Sequence, residues 1–184
     1  MAHATKQLLA DSLKKMLNKK TLDKITVTEL AEDCGVNRQT FYYNFQDIYD
    51  LLSWTYEEER RLLFEQNNLG TDWFKTLTII RDYLKANKKF VLNTYHSLAH
   101  PILEKAIKND LSPLITATIH DYAADSNISE EDQAFIIKVY TLTLAGIIRE
   151  WLENDMNDDY DLDFEKLQPL IHHNLQSDIQ QLSK

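Results

Sequence analysis

The sequence predicts an all-α protein. Only three Gly and three Pro interrupt 184 residues. Apolar residues recur every three or four positions along most of the chain, the period of one helix face. The stretch Thr26–Phe45 is more specific, because it reads as two short helices joined by a tight turn. Together these observations predict a three-helix N-terminal domain over residues 1–47. A larger helical domain follows over 48–184, with the boundary falling along a long shared helix rather than in a linker.

The first helix is expected from about Thr5 to Asn18, with Leu8, Leu9, Ser12, Leu13, Met16 and Leu17 on its inward stripe. Leu22 and Ile25 continue that core through a connecting loop. Thr26 and Glu29 have the spacing of a capping box, which fixes the start of the second helix. Leu30 and Ala31 form its apolar face. Gly35 stands where the chain reverses and is expected at positive φ. Val36 packs inward, and Asn37 caps the third helix. Phe41 and Phe45 are four apart and share the inward face. Arg38, Gln39, Tyr42 and Tyr43 then face outward. A short helix with this outer face, braced by another at a steep angle, is a helix-turn-helix that reads DNA. Arg38 can pair bidentately with guanine and Gln39 with adenine. Thr40, Tyr42, Tyr43 and Asn44 can bond phosphates or pack on sugars.

A fourth helix is expected from near Gln46, with Ile48, Leu51, Leu52 and Thr55 on one face. The run Glu57–Arg61 reads as a solvated face with charge pairs. Asn67–Asp72 is the clearest loop. Five or six further helices follow. Asp72 can cap one holding Phe74, Leu77, Ile79, Ile80 and Leu84, and Asn87 breaks it before Phe90, Val91 and Tyr95. Pro101 suits the first turn of the next, and Ser112–Pro113 reads as a fresh cap with Pro at N1. Ser129 caps a helix with acids in its first turn, running to about Glu153. Gly146 in its middle costs about 1 kcal/mol against Ala, which predicts close approach of another helix. The last helix carries Phe164, Leu167, Leu170, Ile171, Leu175, Ile179 and Leu182, with Pro169 as a kink or as its true start.

Residues 5 to about 55 resemble the DNA-binding domain of the TetR family of transcriptional regulators. The resemblance rests on the helix-turn-helix and on Tyr42-Tyr-Asn-Phe45, after which the family's fourth helix leaves. Three runs, Asp23–Thr28, Arg38–Phe45 and Tyr49–Trp54, are similar to the branch that includes activators of dihydroxyacetone-kinase operons. Gly146-Ile-Ile-Arg-Glu-Trp-Leu152 shares that similarity. The resemblance implies that Thr28 is a DNA contact. It also implies a homodimer in which the last two helices, about 129–153 and 164–182, form a four-helix bundle with their mates. A lone helix-turn-helix contacts too little DNA to be specific, which points the same way. One departure stands out. Many family members carry a phosphate-gripping Lys early in the fourth helix, where this chain has Ile48. Lys6, Lys24 or backbone N–H groups at that helix start are the substitutes available.

Net charge is −9, but it is unevenly spread. Residues 1–44 carry seven Lys or Arg against five acids, so they stand at +2 and the remainder at −11. Weak non-specific DNA affinity is expected. The lone Cys34 excludes an intramolecular disulfide, suits a reducing cytosol and is most simply a small packing residue. No apolar run approaches a membrane span and no signal-peptide pattern opens the chain. The expected setting is therefore the cytoplasm. Scattered glycines offer no phosphate-cradling loop, no Ser or Cys nucleophile motif is visible, and no Glu-x-x-His pair is present. An enzyme is not expected.

An effector is expected in the C-terminal domain. Tyr83, Tyr95, Tyr122, Tyr140, Trp73 and Trp151 are candidates to line a pocket, although each taken singly is more simply a core aromatic. No cofactor is required. A divalent metal is an alternative effector, because His96 and His100 at i and i+4 would share a helix face. His120, His172, His173, Asp121 or Glu104 would complete its shell, and Pro101 sets a helix break close by. A second alternative is control by a partner protein, as in the resembled branch. In each case the effector would act by preferring one spacing of two recognition helices, which DNA needs roughly 34–36 Å apart.

Overall fold

In the computed structural model, helix α1 spans Ala2–Leu17. The structure describes residues 2–67, 73–124, 126–157 and 164–183. The inward stripe of α1 is Leu9, Leu13 and Leu17, spaced by four, with Ala10 and Ser12 beside it. Each Leu so buried contributes about 1.5–3 kcal/mol. Leu8, expected on that stripe, is instead 45% exposed. A 3-10 turn at Leu22–Lys24 follows, and Leu22 and Ile25 are buried as expected. Then come α2 (Val27–Asp33), α3 (Arg38–Asn44) and α4 (Ile48–Asn67). The first face of α4 buries Leu51, Leu52, Thr55 and Tyr56. Its outer side carries the expected charge pairs, Arg61 joining Glu58 at 2.6 Å and Glu65 at 2.7 Å.

Among the described residues five helices follow: α5 (Trp73–Ala86), α6 (Lys88–Tyr95), α7 (His100–Ala123), α8 (Glu130–Glu153) and α9 (Phe164–Leu182). The chain divides into two compact units, residues 1–67 with 86–106, and residues 68–85 with 107–184. The first unit thus takes in α6. Lys14 of α1 meets Glu59 of α4 at 2.7 Å, and its ammonium stands 5.5 Å from the Phe90 ring of α6. Tyr56 and Phe90 pack ring to ring at 5.0 Å. The Asn93 side-chain amide donates to the Leu17 carbonyl at 2.7 Å, satisfying an orphan acceptor at the end of α1. The Leu98 backbone N–H donates to Asp23 at 3.3 Å.

In the second unit, α5 buries Trp73, Thr76, Leu77, Ile80 and Leu84. Ser129 caps α8 by accepting from the Asp132 N–H, with Glu130, Glu131 and Asp132 in the first turn as expected. At the other end of α8 the Met156 N–H reaches the Trp151 carbonyl and the Asp155 N–H reaches Leu152. This Schellman closure uses Asp155 at φ 55° instead of glycine, and the buried Met156 also sits at positive φ.

Three expectations change here. The helix predicted to restart at Pro113 does not; α7 runs through it unbroken. Pro113 has no N–H for the Asn109 carbonyl, but both residues are exposed, so water can serve that oxygen. Burial of the neighbouring Leu111, Leu114 and Ile115 outweighs the loss. Pro169 does not start the last helix, since α9 begins at Phe164. A Cβ built on Gly146 meets nothing within 4 Å, so among the described residues no helix approaches it. Most of the loop expected at Asn67–Asp72, with its Asp72 cap, lies outside the described residues.

Candidate nucleic-acid interface

The two helices of the motif are fixed by local chemistry. Thr26 accepts from the Glu29 N–H at 3.2 Å, and Glu29 accepts from the Thr26 N–H at 2.9 Å. This is the reciprocal capping box. At the end of α2 the Val36 N–H bonds the Ala31 carbonyl and the Gly35 N–H bonds Glu32. Gly35 holds φ +65° in this Schellman turn, where a Cβ would strain the backbone. Asn37 then accepts from the Thr40 N–H at 2.8 Å and starts α3.

Helix α3 is anchored by Phe41, fully buried, and by Phe45, whose ring centroid lies 6.1 Å away. Phe45 is not the helical residue its spacing suggests. It caps α3 in an extended conformation and still turns inward. The opposite face carries Arg38, Gln39, Tyr42 and Tyr43 in solvent, the two tyrosines 51% and 87% exposed. Thr28 is also exposed. Thr40 and Asn44 are half-buried and serve the helix itself. The Thr40 hydroxyl donates to Asn37 at 3.0 Å, and the Asn44 amide donates to the Thr40 carbonyl at 2.8 Å.

The cations of this region sort into two groups. Lys14 pairs with Glu59, Lys15 with Asp33 and Lys20 with Glu29. Lys20, with the Thr26 backbone, holds the Glu29 carboxyl below its ordinary range. Lys15, helped by Ser12, does the same for Asp33. Among the described residues Lys6, Lys19, Lys24 and Arg38 have no ion pair within 4.0 Å. Cys34 is half-buried and donates to the Leu8 carbonyl at 3.5 Å, and burial pushes its thiol pKa up. That is a packing residue, not a reactive one.

The start of α4 is already occupied by acid. Asp47 accepts from the Tyr49 and Asp50 N–H groups at 2.8 Å each, and Asp50 accepts from Gln46 at 2.9 Å. The expected start at Gln46 moves two residues on, with Asp47 as the cap; an Asp before Ile48 was the readable signal. Asp47 thus uses two first-turn N–H groups that a phosphate would otherwise meet and sets a negative charge there.

Residues 71–173, just over half of the chain, match the family model of the TetR-type transcriptional regulator C-terminal region. The chain is a TetR-type transcriptional regulator. Its relatives include the dhaKLM operon transcriptional activator DhaS of Lactococcus lactis, 24% identical over 152 residues, which cover 79% of this chain and 78% of DhaS. A solved structure of dihydroxyacetone kinase operon activator DhaS superposes with a TM-score of 0.69 at 23% identity, covering 98% of both chains. The fatty acid degradation regulator FadR from Bacillus halodurans superposes with a TM-score of 0.56 at 20% identity, covering 92% of this chain and 93% of its own. These two structures share the all-α fold.

The regulator's effector candidates scatter. Tyr95 belongs to the first unit, and Tyr83, Tyr122 and Tyr140 to the second. Trp73 and Trp151 are buried core residues, with the Lys85 ammonium 5.9 Å from the Trp151 ring centroid. Tyr140 donates to Asp178 at 2.8 Å, tying α8 to α9, and burial raises its hydroxyl pKa, with the Asp178 bond adding to the rise. Tyr122 lines a cleft of about 520 Å³ with Ser126, Asn127, Gln176, Ile179, Gln180 and Ser183. A second cleft of about 540 Å³ holds His120, Glu130 and Gln133 among small apolar residues.

The helical premise of the His96/His100 pair does not hold. α6 ends at Tyr95, His96 caps it, and α7 starts at His100, so a turn replaces the shared face. Both rings pack against Tyr95, at 5.6 and 6.3 Å. Among the described residues no group of three His, Cys, Asp or Glu side chains could hold a metal ion. No described helix is long and apolar enough to cross a membrane.

Proposed function

We propose that this TetR-type regulator is a sequence-specific DNA-binding homodimer controlled by an effector in its C-terminal domain. Residues 1–47 read the DNA, and residues 48–184 dimerise and sense. The observation that carries the reading is the outer face of α3, where Arg38, Gln39, Tyr42 and Tyr43 stand in solvent on a helix pinned by Phe41. Arg38 and Gln39 read base edges, while Thr28, Tyr42 and Tyr43 contact the backbone. Thr40 and Asn44 brace the helix, and Asn44 keeps a second amide N–H to donate to a phosphate.

Dimerisation through α8 and α9 is supported by an apolar stripe. Phe135, Val139 and Leu142 are 62%, 41% and 49% exposed, and with Gly146 they are spaced by four, three and four along one face of α8. Leu170 of α9 is 60% exposed. A Gly with open space above it lets a second backbone come close. The uncharged cleft around Tyr122, part polar and part apolar, is the seat we assign to a small effector. Binding there would favour one spacing of the two α3 helices. A second reading, control by a partner protein, is favoured by Leu98, 78% exposed in the turn before α7.

A fluorescence-anisotropy titration on DNA from the gene's own neighbourhood tests the central reading. Saturable binding by the wild type that disappears in an Arg38→Ala, Gln39→Ala variant is expected. Equal binding by the two proteins would refute it.

A further inference from the structure

The salt-dependent part of phosphate binding comes from Lys and Arg, and most directly from those that no carboxylate of the protein already pairs. Few such cations stand near α3. Three N-terminal lysines are held by Glu59, Asp33 and Glu29. Lys19 lies in the field of Asp33. Lys24 follows Asp23, which binds the Leu98 N–H. Arg38 sits at the base-reading end of α3. The start of α4 offers Ile48, and Asp47 already takes the Tyr49 and Asp50 N–H groups while Asp50 takes that of Gln46.

We infer that Lys6 of α1 is the phosphate-gripping cation of this protein, held ready beside the recognition helix by the Phe45 ring. This rests on reading α3 as the recognition helix. The Lys6 ammonium lies 5.1 Å from the Phe45 ring centroid, and Phe45 directly follows the last residue of α3. Arg38 and Lys6 therefore mark the two ends of α3. A cation–π contact orients an ammonium without cancelling its charge, so Lys6 remains available to an anion. Its four-carbon stem lets the charge move from over the ring to a phosphate oxygen. Among the described residues no ion pair competes.

The test measures binding to cognate and scrambled duplexes at 50 and 200 mM salt. The proteins compared are wild type, Lys6→Gln, Lys6→Arg and Lys108→Gln, the last removing an equal charge from the second unit. Lys6→Gln should weaken both duplexes alike and flatten the plot of log K against log salt by about 0.9 per protomer. The wild-type advantage would then shrink roughly 3.5-fold per protomer across that salt range. Lys6→Arg should restore the slope, and Lys108→Gln should leave it unchanged. A Lys6→Gln protein with the wild-type slope would overturn the inference, even if it bound more weakly at both salts or melted earlier, because that pattern marks a packing role. If the wild type itself binds neither duplex, the DNA-binding reading fails and takes this inference with it.

Discussion

Glu29 shows how much one side chain does in the helix-turn-helix. Its carboxylate closes the capping box of α2 and holds Lys20 at 2.7 Å. Those contacts favour the charged form, so its pKa in the folded protein lies below the ordinary 4.5. A depressed carboxyl contributes stability above the unfolded value and loses it as pH falls through the folded one. Melting temperature should therefore fall more steeply below pH 4.5 in the wild type than in Glu29→Gln, and parallel acid limbs would contradict the assignment. Gly35 makes a complementary case, since its φ of +65° excludes a Cβ on backbone grounds while the space around it is open. Gly35→Ala should cost about 1–2 kcal/mol in urea unfolding. Caps and turn were legible in the sequence because each involves residues three to six apart. The extended turn at Phe45 was not, because it depends on where α4 begins.

Among the elements, α6 and α7 teach most. The sequence places Phe90, Val91 and Tyr95 with the C-terminal domain, yet α6 packs in the first unit through Asn93–Leu17 and Lys14–Phe90. Partners separated by 76 residues leave no local pattern to read. His96 and His100 fail as a pair for the opposite reason: the spacing was visible but the helix was not continuous. Pro113 fails in the other direction, since tertiary burial on its flanks keeps α7 helical against local preference. Replacing it should therefore relieve a cost. Pro113→Ala is expected to stabilise the protein by up to about 3 kcal/mol, read as a higher urea midpoint. A lower midpoint would mean that the proline shapes the helix in a way its neighbours require.

For the whole molecule, the family match makes the chain a regulator, and the exposed face of α8 is where we propose that it pairs. The Phe135, Val139, Leu142 and Gly146 face of α8 was readable as a helical stripe, but its exposure was not, because periodicity alone cannot tell a core face from an interface. Leu142→Glu should leave helicity intact and convert a dimer to a monomer in sedimentation velocity. DNA affinity should fall with it, since one recognition helix contacts too few bases. An unchanged sedimentation coefficient would remove α8 from the interface. The most direct test of the account is a methylation-protection footprint of wild type and Arg38→Ala on the gene's own upstream DNA. The account predicts two patches of guanine N7 protection about one helical turn apart, lost in Arg38→Ala at the guanine it pairs with. Protection that survives the substitution unchanged, or a single patch, would contradict a paired α3 readout.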